Sequence, residues 1–166
     1  CNAACPVCLA NNQETFELTV GEVSRMIDRF LAAQGKVDVV ALSGGEPTIH
    51  PHLFEILRLL DRPEVSRIAL NSNGLRIARD DAFLDELSRH KKVYVSLHFD
   101  GSGAKQIRCV DAALQEQALD RLCRRGIGVV PIVLAARGVN DTELGRIVTS
   151  ILTRSRQVKS VIVSMM

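Results

Sequence analysis

Five short runs of mostly apolar, β-branched residues recur along the chain: Val37 to Leu42, Ile68 to Leu70, Val93 to Phe99, Gly128 to Leu134 and Val161 to Met165. Their starts fall roughly 30 residues apart, the length of a strand with its crossover helix. Apolar and polar residues do not alternate strictly within them, as expected of parallel strands covered on both faces. Between the runs the spacing turns helical. Thr19 with Glu22 forms a capping box, Leu18 and Val23 are placed for a hydrophobic staple, and Val23, Met26, Ile27, Phe30 and Leu31 follow until Gly35 stops the helix. Leu53, Ile56, Leu57 and Leu60 mark a second helix, with Pro51 near its first turn. Phe83, Leu84 and Leu87 mark a third, and Leu114, Ala118, Leu119 and Leu122 a fourth that closes at Gly126. Asn140 with Glu143 reads as the cap of a last helix through Leu144, Ile147, Val148, Ile151 and Leu152. Core packing accounts for each of these stripes.

Repeated βα units with right-handed crossovers build either an open doubly wound sheet or a barrel, and periodicity alone does not separate the two. No linker or low-complexity tract interrupts residues 1–166, so they read as one domain. The pattern places one more strand before Cys1, and the chain ends on a strand, so a piece of a longer protein is expected. Composition narrows the partners. Lys and Arg number 21 against 19 Asp and Glu, a net charge of +2 that gives no electrostatic footprint for nucleic acid. Aromatic residues are 4% with no Trp, which removes stacking platforms for single strands. No apolar run has the length of a membrane span.

Polar residues and glycines gather where the runs end: Ser43-Gly44-Gly45-Glu46-Pro47-Thr48, Asn71-Ser72-Asn73-Gly74, Ser96 with His98 and Asp100-Gly101, and Arg137-Gly138-Val139-Asn140-Asp141. Ligand sites of parallel α/β folds lie at these carboxyl ends. Ahead of them stands Cys1-Asn2-Ala3-Ala4-Cys5-Pro6-Val7-Cys8, a C-x3-C-x2-C cluster opening a loop that runs to Asn12. Three thiolates so close can wrap one soft-metal centre. Five cysteines without a secretory signal argue against a disulfide framework. Structural zinc asks for a fourth ligand, which is not obvious, whereas a cubane iron–sulfur cluster takes three cysteines and leaves one iron open. Iron–sulfur, zinc and unrelated thiols all stay open on the residues alone. Gly44-Gly45 would let a ligand approach the backbone closely, although Gly-Gly-Glu-Pro alone also fits a tight turn with a surface carboxylate.

Taken together these residues resemble the radical S-adenosylmethionine superfamily. Cys1, Cys5 and Cys8 match its cluster positions, with Val7 in the apolar slot, and Gly44-Gly45-Glu46-Pro47 is similar to its GGE-type motif. Asn71-Ser72-Asn73-Gly74 and Val95-Ser96-Leu97-His98-Phe99-Asp100-Gly101 follow in order. The resemblance implies a partial (β/α) TIM-type barrel of parallel strands. It implies that Cys1, Cys5 and Cys8 bind a [4Fe-4S] cluster whose fourth iron is chelated by S-adenosyl-L-methionine. The Gly44-Gly45-Glu46 edge would hold the methionyl amino group, Ser96 and Asn73 would contact ribose or carboxylate, and Val7 with Val163 and Met165 would flank the adenine. Reductive cleavage would then give a 5′-deoxyadenosyl radical that abstracts hydrogen from a small-molecule or lipid substrate. The implied partner is a one-electron donor such as flavodoxin or ferredoxin, and the implied location a reducing cytoplasm. The Cys-Pro-Val-Cys, Ser-Leu-His-Phe-Asp-Gly and Arg-Gly-Val-Asn-Asp stretches look like the branch of tetraether-lipid synthases and pterin-modifying proteins. The molybdenum-cofactor cyclase and peptide maturases share much of that core. Lipid carbon–carbon coupling, methylation or cyclisation of a pterin or nucleotide, and a non-catalytic zinc module are the competing functions. Asn140 and Asp141 read as a cap rather than catalytic groups, and Cys109 and Cys123 as ordinary thiols. His98 reads as facing substrate or filling a polar position, and Arg137 as a carboxylate partner or a loop charge.

Overall fold

The computed structural model describes residues 1–8, 16–154 and 156–166, so the entry loop expected to run to Asn12 is described as far as Cys8, and 9–12 lie outside the described residues. Helix α1, Val20–Gln34, starts where the capping box places it. The Thr19 hydroxyl accepts from the Glu22 N–H, and the Glu22 carboxylate accepts from the Thr19 N–H at 2.8 Å. Gly35 ends the helix at φ 76°. Strand β1, Val37–Leu42, leads to α2, Leu53–Leu60, then β2, Val65–Ser72. Strand β2 begins ahead of the apolar run because Ser66 and Arg67 occupy its first exposed positions. Two helices escape periodicity, α3 at Leu75–Arg79 and α5 at Ala104–Arg108, each 5 residues and too short to show a stripe. Helix α4, Asp81–Leu87, is capped by Asp80 through the Phe83 N–H at 2.9 Å, and strand β3 is Val93–His98. Asp111 caps α6, Ala112–Arg124, through the Ala113 N–H. Strand β4, Gly128–Ala135, helix α7, Leu144–Leu152, and strand β5, Ile162–Met165, complete the chain.

Asn140 does not cap α7, contrary to the sequence reading. A one-turn 3-10 segment, Asp141–Glu143, intervenes, and Asn140 is wholly buried. Its amide accepts from the Ala136 N–H and donates to the carbonyls of Asp100 and Leu134. Three unpaired backbone groups at a strand end outweigh one helix cap, since buried polar groups must find partners.

All four strand pairings are parallel and run in sequence order, β1-β2-β3-β4-β5. A doubly wound sheet reverses its order at a switch point; an order that never reverses keeps every right-handed crossover on one face. The sheet therefore curls as an arc of a (β/α) barrel with its helices outside. Leu57, Leu60, Leu70, Leu84, Val95, Leu97, Leu119 and Leu122 pack between sheet and helices and are wholly buried. Gly74, at φ 84°, lets β3 and α6 close: a Cβ there would stand 2.9 Å from Leu97 Cδ1 and 3.1 Å from Ala118 Cβ. The stripes of the edge helices are not wholly core. Met26 and Phe30 on α1 and Leu152 on α7 remain about half exposed, because a helix at either edge of an open arc has a neighbour on one side only. Among the described residues no helix is long and apolar enough to cross a membrane.

The opposite, concave face is layered by register. Ala41, Ala69, Tyr94 and Gly128 share one level, Asn71, Ser96 and Val130 the next, His98, Ile132 and Ile162 the third, and Leu134 with Ser164 the level nearest the carboxyl ends. Val163 pairs with the core residue Val133, so Val163 and Met165 stand on the helix-side face. Ile162 and Ser164 are the β5 residues that share the concave face.

Candidate functional site

The turn after β1 brings Glu46 back over the end of β2. Its carboxylate is 6% exposed and accepts from the Thr48 N–H (3.2 Å), the Thr48 hydroxyl (2.6 Å), the Ser72 hydroxyl (2.8 Å) and the Asn73 N–H (2.8 Å). Glu46 is thus no surface charge; it is a buried tie between two strand ends. Just before it, Gly44 takes φ 144°, a conformation that disfavours any side chain, and a Cβ built there meets nothing within 4 Å. The backbone at Gly44 is thus bare, with open space beside it.

Asn73 is 4% exposed and uses both ends of its amide. Oδ1 accepts from the Leu75 N–H at 3.0 Å, shaping the turn into α3, and Nδ2 donates to Asn2 Oδ1 at 2.8 Å. One hydrogen-bond chain, Glu46–Asn73–Asn2, therefore carries the cysteine segment to the carboxyl ends of the strands. A second anchor lies across the site, where the Cys5 thiol donates to the Arg108 carbonyl and the Cys109 thiol to the Ala4 carbonyl, both at 3.2 Å. Within the segment, the Cys8 N–H donates to the Cys5 carbonyl at 3.1 Å, which puts Val7 half-buried in the turn between two thiols. Burial pushes the Cys5 thiol above its ordinary value, the nearby Arg108 charge opposes this, and the Cys8 and Cys109 thiols add to the rise. Cys5 therefore stays a protonated donor in the metal-free protein.

Arg108 is itself fixed. Its Nε donates to Asp100 at 3.1 Å, and Asp100, fully buried, also accepts from the Leu134 N–H at 2.8 Å while its own N–H donates to Gln115. His98 lies on the concave face, where both charges reach it. Burial, with the Arg108 charge adding to it and Asp100 opposing, lowers its pKa to about 4, and its Nδ1 is buried with no partner. It is a neutral imidazole near pH 7. Ser96, 6% exposed, sits one level below it between Asn71 and Val130. Arg137 is exposed in the loop after β4.

Asn2, Thr48 and Ser72 lie inside motifs that sequence reading quoted, but without roles. Arg108 and Gln115 were missed altogether, because a helical Arg or Gln carries no local sign that it ends on a buried carboxylate or backbone amide. Among the described residues no three His, Cys, Asp or Glu side chains gather as the ligands of one metal ion do. A zinc ion draws its donors to within about 2.3 Å, whereas a cubane takes its thiolates at separate corners. Three thiols on one short segment are the donor set that a cubane takes, one thiolate at each of three corners.

Residues 1–151 match the family model described as the Radical SAM superfamily. The chain is 25% identical over 156 residues to the 7,8-dihydro-6-hydroxymethylpterin dimethyltransferase of Methanocaldococcus jannaschii, covering 89% of this chain and 31% of that protein. It is 30% identical over 152 residues to the GTP 3′,8-cyclase of Chlorobaculum tepidum, covering 87% of this chain and 44% of that protein. It thus spans less than half the length of these curated relatives. In fold it resembles Streptococcus suis SuiB bound to S-adenosylmethionine, with a TM-score of 0.81 at 16% identity, covering 99% of this chain and 38% of that one. With its partial barrel and its matched family model, the chain belongs to the Radical SAM superfamily.

Proposed function

We propose that this domain is the core of a radical enzyme in which Cys1, Cys5 and Cys8 hold a [4Fe-4S] cluster and S-adenosylmethionine chelates the open iron. When bound, the cluster and cofactor supply one-electron cleavage of a carbon–sulfur bond and radical hydrogen abstraction from substrate. The observation that carries this reading is the Glu46–Asn73–Asn2 chain, which seats a three-thiol segment beside the bare Gly44 backbone. The Gly44-Gly45-Glu46 edge would hold the methionyl amino group through its backbone, since four donors already occupy the Glu46 carboxylate. Ser96 would contact ribose or carboxylate, with Asn73 fixing the adjoining turn, and Val7 would lie against the adenine. Val130, Ile132 and Leu134 give the concave face an apolar wall that would keep water and stray hydrogen donors away. Neutral His98 adds no charge to that wall and offers no acidic proton near pH 7.

For the substrate, a pterin- or nucleotide-type heterocycle is the better supported class, because the relatives include a pterin dimethyltransferase and GTP cyclases. A lipid chain would require a wide apolar channel. The electron would come from a flavodoxin- or ferredoxin-type donor in a reducing cytoplasm. The test is anaerobic reconstitution of the full-length protein with iron and sulfide, followed by electron paramagnetic resonance of the reduced sample with and without S-adenosylmethionine. A cubane signal that shifts on adding the cofactor is expected. Stoichiometric zinc uptake with no cluster would overturn the reading and make the cysteines structural.

A further inference from the structure

Cys109 ends α5 at φ 55° and ψ 28°, in the left-handed region, and among the described residues it is the one non-glycine with positive φ. Glycine adopts this conformation freely, whereas a Cβ crowds the neighbouring carbonyl oxygen. A cysteine thus stands where helix-ending geometry favours glycine, and what it brings to the position is a thiol. That thiol donates to the Ala4 carbonyl while Cys5 donates to the Arg108 carbonyl, so residues 4–5 and 108–109 clasp each other reciprocally. The Arg108 side of the clasp is rigid, because its guanidinium is held by fully buried Asp100.

We propose that Cys109 is a positioning residue for the cysteine segment, its thiol holding the Ala4 carbonyl so that Cys5 stays seated at the end of α5. This inference rests on the reading of Cys1, Cys5 and Cys8 as cluster ligands. A cysteine that binds iron gives up its proton, so the Cys5 half of the clasp is lost on loading. The Cys109 half involves no ligand atom and survives, leaving this thiol to hold the segment in the loaded protein.

The experiment compares full-length wild type with Cys109→Gly and Cys109→Ser. In the reduced, metal-free protein, mass spectrometry follows alkylation of Cys5 by iodoacetamide; in the iron-loaded protein, absorbance follows iron transfer to a chelator. Glycine suits the backbone, so the thermal midpoint of Cys109→Gly should not fall, which separates loss of the thiol from loss of the fold. We expect Cys109→Gly to speed both processes about threefold, the scale of one weak hydrogen bond, with Cys109→Ser restoring both toward wild type. Wild-type rates in Cys109→Gly overturn the proposal, as does a serine variant that behaves like the glycine one. Failure of wild type to take up any cluster would defeat the cluster reading, and the alkylation rates would then decide the clasp alone.

Discussion

Glu46 and Asp100 are both buried carboxylates set just past the end of a strand, and each binds the end of the next strand in the sheet. Glu46, after β1, accepts from Ser72 and Asn73 at the end of β2; Asp100, after β3, accepts from Leu134 on β4. They differ in how the buried charge is balanced. Glu46 rests on four neutral donors, whereas Asp100 also takes the Arg108 guanidinium. Neutral donors stabilise the charge without adding one. Arg108 instead places positive charge where Cys5 and His98 both feel it. Each carboxylate also secures one anchor of the cysteine segment, Glu46 through Asn73 and Asp100 through Arg108. The same architectural task is thus done by a neutral network at one side of the site and by an ion pair at the other.

Removing the ion pair's anion should break this symmetry most. Asp100→Ala leaves Arg108 without its partner and the Leu134 N–H unsatisfied, and should cost about 3–5 kcal/mol in denaturant unfolding. A loss below about 1 kcal/mol would mean that the pair is not what closes β3 on β4. Acid sensitivity should belong to the same side. His98 has a folded pKa near 4, below its unfolded value of 6.5, so the unfolded chain binds the extra proton over that interval. Stability from keeping His98 neutral is full above pH 6.5 and is lost as pH falls toward 4, by up to roughly 3 kcal/mol. Comparing wild type with His98→Gln isolates this slope, and identical pH profiles would refute it. On the neutral side, Glu46→Gln keeps the shape but forces an amide donor against existing donors. A cost of about 2 kcal/mol is expected, smaller than for Asp100→Ala because no cation is stranded. The smallest effect is at the anchor itself: Asn2→Ala should leave global stability within about 0.5 kcal/mol while raising hydrogen exchange in residues 2–8. Unchanged exchange there would show that the Asn73 amide does not hold the segment.

The parts legible in the sequence are those that physics writes locally. The capping box at Thr19 and Glu22, the glycine stop at Gly35, the buried stripe of α2 and the five strands all depend on residues near one another in the chain, so spacing and residue type suffice. The double glycine at 44–45 was legible for the same reason, because a backbone that must be bare or left-handed selects glycine at that position. The C-x3-C-x2-C spacing is equally local, and the proposed cluster site rests on it. Tertiary structure decided the rest. Barrel arc against doubly wound sheet depends on strand order, which β-branched runs do not encode. The burial of Asn140, the pairing of Asp100 with Arg108, the meeting of Asn2 with Asn73 and the strained Cys109 against Ala4 join residues far apart in the chain. Their energies come from desolvation and partnership, which exist only once the sheet has curled and brought those groups out of water together.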